Sequence, residues 1–355
     1  MRVAIDCSPA CGSWTGVGRY VHDLVTGLQS VGSPAAGVFQ GHRGPLDPRV
    51  RSACSIASRY DFVGGRIGAF LRLPRVLGSL RAELYHSTST IAVPGPGWNG
   101  RVVGTVQDCY PLSIGSDVSR RSRRLFATLL RNLLQRAAII ICPTTFSADE
   151  VRSAGYAGPL EVVPYAVRNA VAQLRPAAAP VGPYVLSIGA IEPRKRLDLL
   201  CAAYATAGRD RLPPWYHIGP TRHDPDGRIR AGMVAAGCEI LGYVEDADRL
   251  AWLAHARVLA QPSSYEGFGY PPLEAMSFGI PVLAFPSPAM REVLADAALW
   301  VEDAQPEAWA RAIAAVAMDA NEHRRWSQRG LERAAGFTLE RMIADHRRIY
   351  DAACA

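Results

Sequence analysis

The chain has 355 residues, 49% of them apolar, and a formal charge of +7 at neutral pH. That length exceeds the usual size of a single core and predicts two domains. No run approaches the ~20 uninterrupted apolar residues that cross a bilayer, and no tract is polar or repetitive enough for disorder. The eight cysteines form no Cys-x-x-Cys pair, which speaks for thiols of a reducing cytoplasm and against a zinc site. The positive balance comes almost wholly from arginine and suits a nucleoside diphosphate, an anionic acceptor or a membrane surface. No nucleic-acid recognition motif stands out.

In chain order, a strand over 3–5 reaches Asp6 without the charged leader and long apolar segment of a secretory signal. Thr15-Gly16-Val17-Gly18-Arg19-Tyr20 then opens a helix. A lone Gly-x-Gly fits a turn as well as a dinucleotide site, and Val21 stands where the dinucleotide pattern wants a third small residue. Strands are predicted at 84–86, 102–106, 139–141 and 161–163. His86 ends the first of these, as a packed loop histidine or as a site residue. Gln107 and Asp108 follow the second, where Asp108 reads equally as a turn cap and as a ligand of an acceptor hydroxyl. Residues 118–136 form a basic amphipathic helix, either a solvated cover of the sheet or a face for anionic lipid.

Residues 175–183, with three prolines and no period, read as a linker, which places the domain boundary near residue 176. Beyond it, strands are predicted at 184–188, 215–218, 239–241, 257–260 and 282–284. Strands alternating with helices in both halves predict parallel sheets covered by helices. Ligands of such sheets bind outside the carboxyl ends of the strands, and two facing units leave a cleft for a small molecule. After 184–188 come Gly189 and then Arg194-Lys195-Arg196, a triplet that by spacing alone is a solvated turn. After 257–260 comes Glu266-Gly267-Phe268-Gly269-Tyr270-Pro271-Pro272-Leu273-Glu274. The two prolines mark the first turn of a helix, so Glu274 is expected in that turn. The glycines admit a ligand to the backbone, and a helix start favours an anion. Paired carboxylates beside such a helix end suit a phosphorylated sugar derivative. No Asp-x-Asp pair is placed as a metal clamp after a strand; Asp246 and Asp248 belong to a helix start, where acids cap and complement the dipole.

The Glu266-to-Glu274 segment resembles the Glu-x7-Glu signature of retaining glycosyltransferases of the GT-B fold, in particular glycosyltransferase family 4, and the resemblance extends over both halves. It implies an α/β chain of two Rossmann-like domains facing across a cleft: 1–175 on the acceptor side, 176–338 for the donor, and a helix from 339 crossing back to the first domain. The implied reaction moves a hexose from a nucleoside diphosphate to a hydroxyl of a sugar or lipid-linked acceptor, with retention. It takes place in the cytoplasm or at the inner face of the membrane, without metal or other cofactor. Guanosine-linked mannose or deoxymannose is favoured over uridine or thymidine donors. The resemblance implies that Glu274 binds the ribose hydroxyls, Glu266 the donor sugar, and Arg194 and Lys195 the diphosphate. Gly267, Phe268, Gly269, Gly16, Gly18, Gly189, Tyr243 and Val244 would line the donor. Many members carry histidine where Gln107 stands. Glutamine can bond a sugar hydroxyl but cannot titrate, which leaves the acceptor proton to the departing phosphate. Asp108 would be a catalytic or acceptor-orienting carboxylate, beside His86 and Gln107. Two alternatives stay open: a non-catalytic nucleotide-sugar-binding or scaffold protein, and a nicotinamide-dependent dehydrogenase built on the Gly16 and Gly18 loop. Paired carboxylates could also mean a glycoside hydrolase, but hydrolysis does not require a diphosphate grip beside a helix-start glutamate.

Overall fold

The computed structural model describes residues 1–12, 15–40, 45–60, 65–90, 92–113, 115–167, 182–208, 211–224 and 226–355. Most of the expected linker, and the boundary near residue 176, lies outside these residues. The chain divides into two compact units, Met1–Ala166 with Thr338–Ala355, and Val167–Phe337. Among the described residues no helix is long and apolar enough to cross a membrane.

The first unit runs β1 (Val3–Asp6), α1 (Gly16–Ser30), β2 (Ala36–Gln40), α2 (Pro48–Ala53), β3 (Ile56–Tyr60), α3 (Gly65–Ser79), β4 (Leu84–Ser87), β5 (Arg101–Thr105), α4 (Arg120–Arg136), β6 (Ala137–Cys142), α5 (Thr145–Ser153) and β7 (Leu160–Val162). Its seven strands are parallel in the order β3-β2-β1-β4-β5-β6-β7. The second unit runs β8 (Val185–Ile188), α6 (Leu197–Ala207), β9 (Trp215–Ile218), α7 (Arg228–Ala235), β10 (Glu239–Gly242), α8 (Asp246–His255), β11 (Val258–Gln261), α9 (Tyr270–Ser277), β12 (Val282–Ala284), α10 (Pro288–Leu294), β13 (Leu299–Trp300), α11 (Pro306–Met318) and α12 (Ala320–Ala334). Its six strands are parallel in the order β10-β9-β8-β11-β12-β13. A final helix, α13 (Leu339–Cys354), belongs to the first unit and packs on α1, β4, β5 and β6.

Helices on both faces bury the central strands completely, which is why β4 and β11 are enclosed at every residue and read as short runs without alternation. The core of the first unit gathers Leu73, Leu77, Tyr85, Val102, Leu133 and Ile140. That of the second gathers Val185, Leu200, Trp215, Val258, Trp309 and Ile313. In each sheet the strand order reverses, between β1 and β4 and between β8 and β11. At such a reversal the flanking loops diverge and leave room for a ligand.

The last helix is tied down by a buried polar network within the first unit. The Tyr20 hydroxyl lies 2.8 Å from His346 Nε2 and 3.0 Å from Thr105 Oγ1. His86 Nδ1 lies 2.7 Å from the Tyr350 hydroxyl and His86 Nε2 2.7 Å from Thr105 Oγ1. Burial pushes His86 well below the usual histidine range and His346 down to about 4. Both rings are therefore neutral, each acting as donor at one nitrogen and acceptor at the other.

Candidate functional site

Charge collects at the reversal point of the second sheet. After β8 the chain passes Gly189, makes a tight 3-10 turn over Pro193–Lys195, and enters α6 through Arg196 in the left-handed region at φ 49°. After β11 it forms the loop that leads through Glu266 to α9. Bonds to main-chain carbonyls stitch the two loops together: Ser264 N donates to the Arg194 carbonyl at 2.9 Å, and the Arg194 side chain donates through Nη1 to the Tyr265 carbonyl at 3.1 Å.

The side chains complete the junction. Lys195 Nζ donates to Glu266 Oε1 at 2.6 Å, and Gln261 Nε2 donates to the same oxygen at 2.9 Å. Arg194 reaches Glu266 Oε2 at 3.4 Å with one terminal nitrogen and Glu192 Oε1 at 2.6 Å with the other. Burial alone would raise the Glu266 carboxyl, but Lys195 and then Arg194 outweigh it and bring it down to about 2. Burial lowers the Lys195 ammonium, because only part of the loss is restored by Glu266 while Arg194 repels it. Two cations and two carboxylates thus stand together at the strand ends. Lys195 is also the only lysine among 39 basic side chains, at the one place where a compact point charge meets the Glu266 carboxylate.

Glu274 sits differently from expectation. Gly269, at φ 101°, turns the chain into α9, which begins at Tyr270. That start puts Glu274 in the second turn rather than the first. The helix start is also poorer in amides than an anion site usually is, since Pro271 and Pro272 carry no N–H. Glu274 is buried and held by a two-pronged contact: Arg249 Nη1 to Oε2 at 2.7 Å and Nη2 to Oε1 at 3.2 Å. Arg249 is in turn gripped by Asp246 Oδ1, through Nε at 3.2 Å and Nη2 at 2.9 Å. Gly267 lies in the loop before α9, whereas Phe268 is buried edge-on against Tyr270 and Phe337. Tyr243, which is exposed, and Val244 follow the end of β10.

In the first unit the expected residues are occupied by structure. Gly16 is the first residue of α1, and the Thr15 hydroxyl accepts from Gly18 N at 3.2 Å. A Cβ on Gly18 would stand 2.6 Å from the Pro9 carbonyl oxygen, so close packing there demands glycine. His86 is buried with both nitrogens engaged, because β4 is an interior strand covered by α13. This geometry turns it away from solvent and supports the packed alternative. Gln107 donates to the Thr88 carbonyl at 3.3 Å and accepts from the Tyr165 hydroxyl. Asp108 Oδ1 accepts from Tyr110 N at 3.1 Å, the turn-capping arrangement. Glu192, Gln261 and Arg249 were not foreseen. The one signal for Arg249 is its position three residues after Asp246 on a helix.

Comparison with known proteins bears on this geometry. The family model for glycosyl transferases group 1 matches residues 176–333, and that for Glycosyltransferase Family 4 matches residues 14–169. O-antigen chain mannosyltransferase B of Escherichia coli is 33% identical over 162 residues, 44% of this chain and 42% of that protein. A GDP-mannose-dependent alpha-(1-6)-phosphatidylinositol dimannoside mannosyltransferase of Mycobacterium tuberculosis is 27% identical over 217 residues, 58% of this chain and 55% of that protein. The matched stretches thus span about half the length of these relatives. Among solved structures, Anabaena Alr3699/HepE in complex with UDP and glucose aligns with a TM-score of 0.75 at 14% identity, over 99% of this chain and 100% of the other. Sucrose-phosphate synthase from Thermosynechococcus elongatus aligns with a TM-score of 0.77 at 19% identity, over 99% and 98%. With two parallel sheets of this topology, and a family 4 match followed by a group 1 match over most of its length, the chain has the GT-B fold and belongs to the family 4-like glycosyltransferases.

Proposed function

We propose that this protein is a retaining, metal-independent glycosyltransferase that moves a hexose from a nucleoside-diphosphate sugar to an acceptor hydroxyl in glycan or glycolipid assembly. The observation that carries this reading is the cluster of Arg194, Lys195 and Glu266 at the point where the second sheet reverses. Cleavage of the sugar–phosphate bond leaves negative charge on the departing nucleotide, and fixed cations stabilise that charge as it grows. The incoming diphosphate competes with Glu266 and Glu192 for Arg194 and Lys195. Glu266, released in part, faces the donor sugar. Glu274 accepts from the ribose hydroxyls, and the leaving phosphate takes the acceptor proton, since Gln107 cannot titrate. Asp246 is already committed to Arg249, which supports a leaving group held by cationic side chains rather than by a metal clamp on the acids of α8.

The names of the relatives favour mannose carried on guanosine, and the UDP bound to the structural neighbour keeps uridine in the comparison. The acceptor is a sugar or lipid-linked hydroxyl. A peripheral membrane contact fits α4, where Arg120, Arg121, Arg124, Leu125 and Arg131 are exposed; co-sedimentation with anionic but not neutral vesicles tests it.

The direct experiment incubates the protein with GDP-, UDP-, dTDP- and ADP-linked hexoses, with and without EDTA. Release of one nucleoside diphosphate and an axial product anomer from an axial donor are expected, with at most a few-fold loss on chelation. No release from any donor would overturn the reading. Abolition by EDTA with restoration by magnesium would overturn its metal-free part.

A further inference from the structure

Glu274 is a carboxylate with almost no exposure, on the interior side of a short helix. A buried carboxylate without a counter-charge takes up a proton or leaves the interior, and either change would spoil it as an acceptor of hydroxyl hydrogens. Arg249 prevents both. Its terminal nitrogens address the two carboxylate oxygens separately, at 2.7 and 3.2 Å, so they fix the plane of the carboxylate as well as its charge. The guanidinium itself is not left to rotate. Asp246, in the first turn of the same helix, takes Nε and Nη2 on one oxygen. The chain of contacts runs from the start of α8 to Arg249 and on to α9, and every member is mostly withdrawn from solvent.

We propose that Arg249 is the positioning residue of the donor site, aiming Glu274 at the 2′-hydroxyl of the donor ribose, with Asp246 as its anchor. The proposal rests on the reading of Glu274 as the ribose ligand. A carboxylate oxygen accepts two hydrogen bonds, so the arginine fork on one side is compatible with ribose hydroxyls on the other. Lysine cannot replace it, because a single ammonium neutralises the carboxylate without defining its plane.

The test measures, by calorimetry on the full chain, affinity for GDP and 2′-deoxy-GDP, or for UDP and 2′-deoxy-UDP if uridine gives the larger thermal shift. The unmodified protein should prefer the ribose form by about ten- to a hundredfold, the worth of one hydrogen bond to a charged group. Arg249→Lys should reduce that preference to roughly threefold or less while holding the 2′-deoxy affinity within about twofold, and Asp246→Asn should fall between. Thermal melting of each variant confirms that it is folded. A folded Arg249→Lys variant that keeps the full preference, or loses affinity for both forms equally, overturns the proposal. Glu274→Gln separates the two layers. If it abolishes the preference while Arg249→Lys does not, only the role of Arg249 falls. If it leaves the preference intact, the ribose reading of Glu274 falls, and the proposal with it.

Discussion

The two units share one strand-helix plan and differ in what they place at the ends of their strands. In the first, a neutral network faces inward around β4 and β5: Tyr20, His86, Thr105, His346 and Tyr350 bond to one another. In the second, Arg194, Lys195, Glu192, Glu266, Arg249, Asp246 and Glu274 form ion pairs that are mostly withdrawn from solvent, with Glu274 buried and the cations keeping a small exposed edge. Neutral groups bonded to one another hold elements together at little electrostatic cost. Opposed charges held close to water form pairs that an anionic ligand can reorganise. The contrast supports the proposed binding of a phosphorylated partner by the second unit, while the buried bonds of the first fasten α13.

The largest expected effect strikes the charged cluster. Lys195→Ala should lower turnover by about 10²- to 10³-fold, the range seen when one donor to a developing anion is removed. Lys195→Arg should fall between that variant and the unmodified protein, although the charge is conserved. Because Lys195 is the chain's only lysine, amine-selective labelling followed by peptide mapping should also show it protected by the preferred nucleoside diphosphate. Full turnover in Lys195→Ala would move the leaving-group site elsewhere.

Acid should break the other side of the contrast first. His346, at about 4 when folded, stays neutral while the same ring in the unfolded chain is protonated below its ordinary 6.5. The unfolded state then binds more protons, and stability falls as pH drops from 6.5 towards 4. The loss attributable to His346 is on the order of 3 kcal/mol. His86 adds to it in the first unit, and His217, also at about 4, contributes one such loss in the second. Glu266 acts at lower pH. Held at about 2 against an ordinary 4.5, it contributes stability above 4.5 that disappears as pH falls towards 2. Melting temperature followed from pH 7 to 4 should decline, and His346→Gln should flatten the decline. A level profile in the unmodified protein contradicts the neutral network.

The smallest effect is local. Arg196 adopts φ 49°, ψ 38° at the start of α6, with its side chain making only long, exposed contacts to Asp198. Left-handed geometry costs a non-glycine residue about 1–2 kcal/mol, while glycine costs about 0.5–1 kcal/mol in chain entropy. Arg196→Gly should therefore stabilise the second unit by up to about 1 kcal/mol in urea titration and leave turnover unchanged. A destabilised variant would give Arg196 a role that its contacts do not reveal.

These contrasts also explain what could be read from the residues alone. The interior strands β1, β4, β5, β6, β8, β9, β11 and β12 were visible because burial on both faces leaves continuous apolar runs, and the edge strands β7 and β10 were visible from short apolar runs. Three strands escaped. β2 carries a glycine inside Ala36–Gln40, β3 lies at a sheet edge with Ile56 exposed, and β13 is two residues long. At the site, the Glu266-to-Glu274 segment stood out by its glycines, prolines and paired carboxylates, whereas Arg194 and Lys195 read as a solvated turn by spacing alone and gained a role only through the resemblance that segment carries. Arg249 did not, since an Asp-x-x-Arg spacing on a helix ordinarily marks a solvated pair; only the packing of α8 beside α9 reveals its second partner. His86 was ambiguous for the converse reason. Nothing local in Tyr85-His86-Ser87 announces that a helix more than 250 positions away will supply Tyr350 to its ring.

That separation has a temporal consequence during synthesis. All of Val167–Phe337 must be translated before Thr338–Ala355 can join the unit to which it belongs. At ordinary elongation rates of about 5–20 residues per second, the delay is roughly ten to thirty seconds. Throughout it, the groove that will receive α13 lacks its cover, and Tyr20 and His86 lack the His346 and Tyr350 to which they bond in the folded chain. The second unit, contiguous in sequence, is under no such wait. Ribosome-bound intermediates stalled before residue 338 should therefore be those that chaperones capture, through the first half of the chain and not the second.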